Sequence, residues 1–342
     1  MDFLIDIGLF SGKVFVMVFA IAALLLLFFA LLARARQAKP LLTVENLNEK
    51  FDLMGRALKS SVLDGKELKT EKKERKKRDK AEKKAGPQDK KRLFVLDFVG
   101  DIRASHVENL REEVTSILTV ARAGHDEVVV RVDSPGGMVQ GYGLAAAQLV
   151  RVRNAGIDLT VCVDKVAASG GYMMACTANK ICSAPFAILG SIGVVASIPN
   201  FHRLLKKHDV DFEELTAGEF KRTVTMFGEI TEKGKQKAHE QIEDVHGLFK
   251  AFVSHYRPQV DLKEVATGEY WFGNRAKDLK LVDEIITSDE YLFQRREEAR
   301  IYKVEIQARK KWSEKLAENI ASLVVDTLQM TWGKSENTRG LF

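Results

Sequence analysis

The sequence predicts a mixed α/β domain on a mostly parallel sheet of βαβ units, preceded by one N-terminal transmembrane helix. Three observations point there. An unbroken apolar run near the amino end is long enough to cross a bilayer. From residue 92 onward, apolar strand-like runs alternate with helix-length segments. Two unusual glycine turns fall directly after those runs.

Val14 to Leu32 is 19 residues without a charge or strongly polar group. At about 1.5 Å per residue it approaches the roughly 30 Å hydrocarbon core, and a helix satisfies its own backbone in lipid. A cleaved signal peptide would need a basic start, a shorter apolar stretch and a small-residue cleavage site. Here Asp2 and Asp6 come first, and Arg34, Arg36 and Lys39 follow the run, so a retained anchor is expected. Those following charges favour a cytoplasmic location for the bulk of the chain.

Residues 34–91 read as a charged linker, with a short amphipathic segment at Phe51 to Leu63 and then a Lys/Glu-rich stretch ending in Gly86-Pro87. Lys66 to Arg92 holds 14 basic and 6 acidic residues, a local charge of +8 against +6 for the whole chain, which leaves the remainder at −2. The basic charge is thus one solvated stretch, poor in aromatics and without a recognition-helix or zinc-finger pattern. Nucleic acid is not an expected partner. The stretch is either a helix laced by i,i+4 ion pairs or a disordered spacer.

The soluble domain is expected over 92–288. Residues 93–100, 127–133 and 158–164 read as strands, and 107–122 and 139–154 as helices between them. In open sheets of this kind ligands bind beyond the carboxyl ends of the strands. There lie Asp133-Ser-Pro-Gly-Gly137 and Val166-Ala-Ala-Ser-Gly-Gly-Tyr172. The first turn can direct backbone N–H groups toward a ligand oxygen, although an ordinary tight turn has the same composition. In the second, Ser169 stands at a helix start, where it is either a helix cap or an exposed nucleophile facing the positive helix end. Together the two turns suggest a nucleophile with an oxyanion hole.

The base is less legible. Seven histidines are present, and no carboxylate arrangement marks one as a triad member. A lysine serves if burial in an apolar pocket lowers its pKa from about 10.4. Lys165 lies at a strand end where a surface role is expected; Lys221 lies among apolar and β-branched residues at 215–227. The residues alone do not choose between them.

The series DSPGG at 133–137, VAASGGY at 166–172, LGSIGV at 189–194, AGEFKRT at 217–223 and LVDEI ending at Ile285 resembles the signal peptide peptidase A family of serine-lysine peptidases, family S49, in its single-domain inner-membrane branch. The resemblance spans residues 90–287. It implies the fold of the ClpP and crotonase group, Ser169 as nucleophile, Lys221 as base, Ser191 as the residue positioning the lysine, and Gly136 and Gly170 as oxyanion donors, with Gly137 able to replace Gly136. It implies peptide or polypeptide substrates, no cofactor and no metal. It also implies a homo-oligomer in which one subunit's lysine can reach its neighbour's serine, and an inner-membrane protein with a periplasmic domain, opposite to the charge-based orientation. Met173 departs from the aromatic often found after Tyr172, a change expected to affect packing. A crotonase-like acyl-thioester enzyme, a histidine-based serine peptidase and an inert membrane scaffold are the competing functions.

Beyond the motifs, Lys235 to Ala251 reads as a long amphipathic helix, and residues 268–285 as a turn, a short helix and an edge strand. Residues 289–342 read as a charged and amphipathic helical tail. Cys162, Cys176 and Cys182 are expected to be buried free thiols.

Overall fold

The computed structural model describes residues 41–85 and 89–307, together with Met17, Phe19 and Ile21. The chain divides into two compact units, residues 43–305 and residues 1–42 with 306–342. The expected anchor lies outside the described residues except for Met17, Phe19 and Ile21, which are helical and exposed. Among the described residues, no helix is long and apolar enough to cross a membrane.

The strands are β1 (Leu41–Asn46), β2 (Lys91–Val99), β3 (Glu127–Asp133), β4 (Asp158–Val163), β5 (Val166–Ala168), β6 (Lys180–Ser183), β7 (Ile188–Gly190), β8 (Tyr270–Phe272), β9 (Glu284–Ile285) and β10 (Ala299–Gln307). The helices are α1 (Leu47–Val62), α2 (Gly65–Ala85), α3 (Val107–Leu118), α4 (Val139–Asn154), α5 (Gly170–Ala175), α6 (His202–Lys207), α7 (Glu232–Tyr256), α8 (Leu262–Val265), α9 (Gly273–Asp278) and α10 (Ser288–Arg295). Seven strands form one sheet in the order β1-β10-β2-β3-β4-β6-β9, parallel from β10 through β9. The mixed α/β class and largely parallel sheet are as the sequence predicts.

The sheet is covered on both faces, which explains the continuous apolar runs of its central strands. Phe94, Leu96 and Phe98 of β2 join Val128, Val130 and Val132 of β3 against α3 and α4. The alternate residues Leu93, Val95 and Val129 face the opposite way, toward Leu47 of α1 and Tyr291 and Leu292 of α10. Burying each such aliphatic side chain contributes roughly 1.5–3 kcal/mol. The three cysteines are free and buried, with Cys162 and Cys182 side by side on β4 and β6.

The folded body reaches further than 92–288. Strand β1, within the stretch read as linker, pairs with β10, within the stretch read as helical tail. Asn48 locks this junction: its amide donates to the carbonyls of Arg296 (2.7 Å) and Ala299 (3.0 Å), and its oxygen accepts from the Ile301 N–H at 2.7 Å. On the adjoining strands, Asp97 of β2 binds Arg131 of β3 and Lys303 of β10. Burial alone would raise that carboxyl's pKa; the hydrogen bonds and charge of Arg131, then of Lys303, outweigh burial and lower it.

A small second sheet, β5-β7-β8, carries the second glycine turn. Strands β5 and β7 are parallel, β7 and β8 antiparallel. A bridge between Ser134 and Ala167 joins the end of β3 to β5, bringing the two glycine turns together.

Candidate active site

Ser169 follows β5 and opens α5 with φ 51° and ψ −117°. A residue with a Cβ rarely adopts such angles, which cost on the order of 1–3 kcal/mol and are held only by surrounding structure. The restraints are visible. The Ser169 N–H donates to the Gly190 carbonyl at 2.8 Å, and its carbonyl accepts from the Met173 N–H at 2.9 Å. The side chain does not cap α5; its hydroxyl has no hydrogen-bond partner among the described residues. A strained strand-to-helix turn of this type leaves a serine oxygen presented rather than packed away.

The first glycine turn presses against it. Ser134 exchanges backbone hydrogen bonds with β5, its N–H to the Val166 carbonyl (2.8 Å) and its carbonyl from the Ala168 N–H (3.0 Å). Gly136 has φ 89°, and a Cβ there would lie 2.7 Å from the Ala168 carbonyl oxygen, the Gly170 nitrogen and the Ser169 Cβ. Only glycine lets the two turns approach this closely. The Gly136 N–H, expected to serve an oxyanion, instead donates to Ser134 Oγ at 3.1 Å. The N–H groups of Gly137 and Gly170 have no partner among the described residues.

Ser191 is brought to the same place. In the β5–β7 pair Ala168 stands opposite Gly190, so Ser169 and Ser191 each occupy the next step of parallel strands. Ser191 also has positive φ, 49°, and its N–H donates to the Glu269 carbonyl at 2.6 Å. Met173 is partly buried against the core.

Lys221 makes no hydrogen bond to either serine within this chain. It lies exposed in a turn between α6 and α7, its N–H bonded to the Gly218 carbonyl at 3.2 Å. Its charged neighbours are engaged, Glu219 with Lys233 and Arg222 with Glu214, whereas the Lys221 amine has no partner among the described residues. Lys165, the other lysine near the serine, pairs with Asp133 at 3.0 Å and is exposed. Among the described residues no histidine hydrogen-bonds Ser169.

Two polar residues of the site escaped the sequence reading, Ser134 and Tyr142. Ser134 lies inside DSPGG, and Tyr142 is a fully buried residue of α4. The signal for Tyr142 was slight: one tyrosine in a helix that mixes apolar, small and polar residues.

A presented serine and two glycine turns stand together on the α/β sheet, and comparison with known proteins names the class of protein. Residues 2–149 match Peptidase family S49 N-terminal, and residues 151–302 match Peptidase family S49. "Probable protease SohB" of Haemophilus influenzae is 48% identical over 320 residues, 90% of this chain and 90% of that protein. The protein of the same name from Buchnera aphidicola subsp. Acyrthosiphon pisum is 52% identical over 239 residues, 70% of this chain and 71% of its own length. "Protease 4" of Haemophilus influenzae is 27% identical over 201 residues, 57% of this chain and 32% of that protein. These relatives define a peptidase. The chain belongs to peptidase family S49.

Proposed function

We propose that this peptidase is a serine endopeptidase using a Ser169–Lys221 dyad completed between subunits. The observation that carries the reading is Ser169 itself, held at φ 51° with an unpartnered hydroxyl beside two unpartnered N–H groups. Ser169 Oγ attacks the substrate carbonyl as neutral Lys221 takes its proton. Negative charge on the tetrahedral oxygen is received by the N–H groups of Gly137 and Gly170, the role expected of Gly136 passing to its neighbour. The lysine then protonates the leaving amine and activates the water that releases the acyl-enzyme. Ser191, one strand away from Ser169, accepts and orients the lysine amine. The fold is that of the ClpP and crotonase group. Substrates are small, extended or misfolded polypeptides, including remnant signal peptides.

A lysine acts as a base only where it is sheltered from water. Lys221 is exposed on a single chain, so its shelter has to come from another. The stretch between β7 and α7 that holds Lys221 supports this: Val195, Leu204 and Leu215 expose 86%, 52% and 95% of their surface, an apolar character suited to a subunit contact. The protein acts as a homo-oligomer anchored in the bacterial inner membrane by Val14 to Leu32, with its domain in the periplasm.

Complementation tests this arrangement. S169A and K221A are each expected to be inactive, and S169A to lose labelling by a fluorophosphonate. Subunits of the two variants, co-refolded at equal amounts, should recover about a quarter of wild-type turnover, because random pairing unites an intact serine with an intact lysine at that frequency. Activity in K221A alone would refute the base. No recovery in verified mixed oligomers would refute sharing.

A further inference from the structure

We propose that Tyr142 and Ser134 are positioning residues that set the oxyanion turn, a proposal that rests on the Ser169 peptidase reading. Tyr142 is completely buried under both glycine turns. Its hydroxyl donates to the Asp101 carbonyl at 2.8 Å and lies 2.5 Å from Ser134 Oγ, which accepts the Gly136 N–H at 3.1 Å.

The proton direction along this chain follows from valence. A phenol has one hydrogen, and Tyr142 gives it to Asp101. Ser134 must therefore donate to Tyr142, which leaves the lone pairs of Ser134 Oγ for Gly136. The series runs Gly136 N–H, Ser134 O–H, Tyr142 O–H, Asp101 C=O, with each donor used once. Burial raises the Tyr142 pKa above its ordinary value and keeps the phenol protonated.

The same side chain touches the second turn. A Cβ on Gly170 would collide with the Cβ, Cγ and Cδ2 of Tyr142, so the ring packs directly beneath the residue after the nucleophile. The Asp101 loop is in turn fastened to the first turn: the Ile102 carbonyl accepts the Met138 N–H at 2.8 Å and abuts Gly137. One residue thus props Gly170 from below with its ring and, through Ser134, fixes the peptide preceding Gly137. By engaging the Gly136 N–H inside the fold, the relay turns the next N–H, that of Gly137, outward. Oxyanion stabilisation depends on donors already aimed at the reacting oxygen, and losing one donor outright costs roughly 10²–10³ in kcat.

The test compares wild type, Y142F and S134A, using a peptide substrate and a peptide aldehyde of the same sequence that forms a reversible hemiacetal with Ser169. S134A keeps the bond from Tyr142 to Asp101 and is the variant that decides if Y142F fails to fold. The expected result is a kcat lowered roughly 10- to 100-fold with KM within about 2-fold, and aldehyde affinity lowered in parallel with kcat. Wild-type kcat and aldehyde affinity in folded S134A would overturn the proposal, as would a loss confined to KM. A wild-type protein whose Ser169 takes neither aldehyde nor fluorophosphonate would overturn the peptidase reading, and the proposal with it.

Discussion

Ser169 shows how a single backbone conformation separates a presented hydroxyl from a helix cap. A capping serine has extended angles and turns its oxygen onto its own helix; Ser169 has φ 51° and makes no cap bond. The surrounding bonds to Gly190 and Met173 hold the residue in a conformation that a Cβ opposes. Relief of that strain has a measurable consequence. S169G is expected to be more stable than S169A by about 1 kcal/mol in urea unfolding, both being inactive, because glycine accepts positive φ and alanine does not. Equal stability of the two would mean that the turn stores no strain. Gly136 illustrates a different constraint, since its 2.7 Å approaches leave no room for any side chain. Its glycine was legible in DSPGG, but its partner was not: that its N–H is engaged by Ser134 depends on a side-chain rotamer that no spacing encodes.

At the scale of elements, the βαβ series was legible because its strands are buried on both faces and its helices on one. The strand at 127–133 and the helix at 139–154 have the limits their apolar patterns predict. Strands β1 and β10 were not legible. The alternation of Tyr302, Val304 and Ile306 with Lys303 and Glu305 is buried in a stretch crowded with charges from Glu290 onward. Nothing local in either segment says that the two, some 250 residues apart, pair at the sheet edge. Asn48 makes that pairing specific through three hydrogen bonds to the β10 region. N48A is expected to destabilise the protein by about 2–3 kcal/mol, since three backbone groups lose a partner. It should also open the α1 region to limited proteolysis before the remainder of the domain. An unchanged urea midpoint would show that Asn48 is dispensable for the junction.

For the whole molecule, charge and resemblance give opposite expectations for the side of a membrane on which the proposed anchor would place the domain. Arg34, Arg36, Lys39 and the basic stretch of +8 favour the cytoplasm, whereas the family resemblance favours the periplasm. The charge bias is a statistical tendency in insertion, and the two expectations are separated by protease accessibility. Protease added to spheroplasts is expected to degrade the domain while cytoplasmic controls survive. Survival of the domain until lysis would assign it to the cytoplasm. The buried sheet offers no signal either way, since three free cysteines inside a core are compatible with both compartments.

The sequence by itself determined the α/β class, the alternation that builds the parallel sheet and, through an ordered series of short motifs, membership in a peptidase family. Local patterns suffice for these because burial periodicity and glycine turns act over a few residues. Only the tertiary structure decided that the Ser134–Ala167 bridge brings the two glycine turns into contact. It also decided that Ser191 lies beside Ser169, that the Gly136 N–H is engaged inside the fold, and that Tyr142 underlies both turns. Each of these depends on one segment meeting another far along the chain, where the relevant distance is set by packing. Ser169 was therefore recognisable from its own neighbourhood, whereas the surroundings that would let it react come from four separate segments, residues 101–102, 134–142, 166–171 and 188–191.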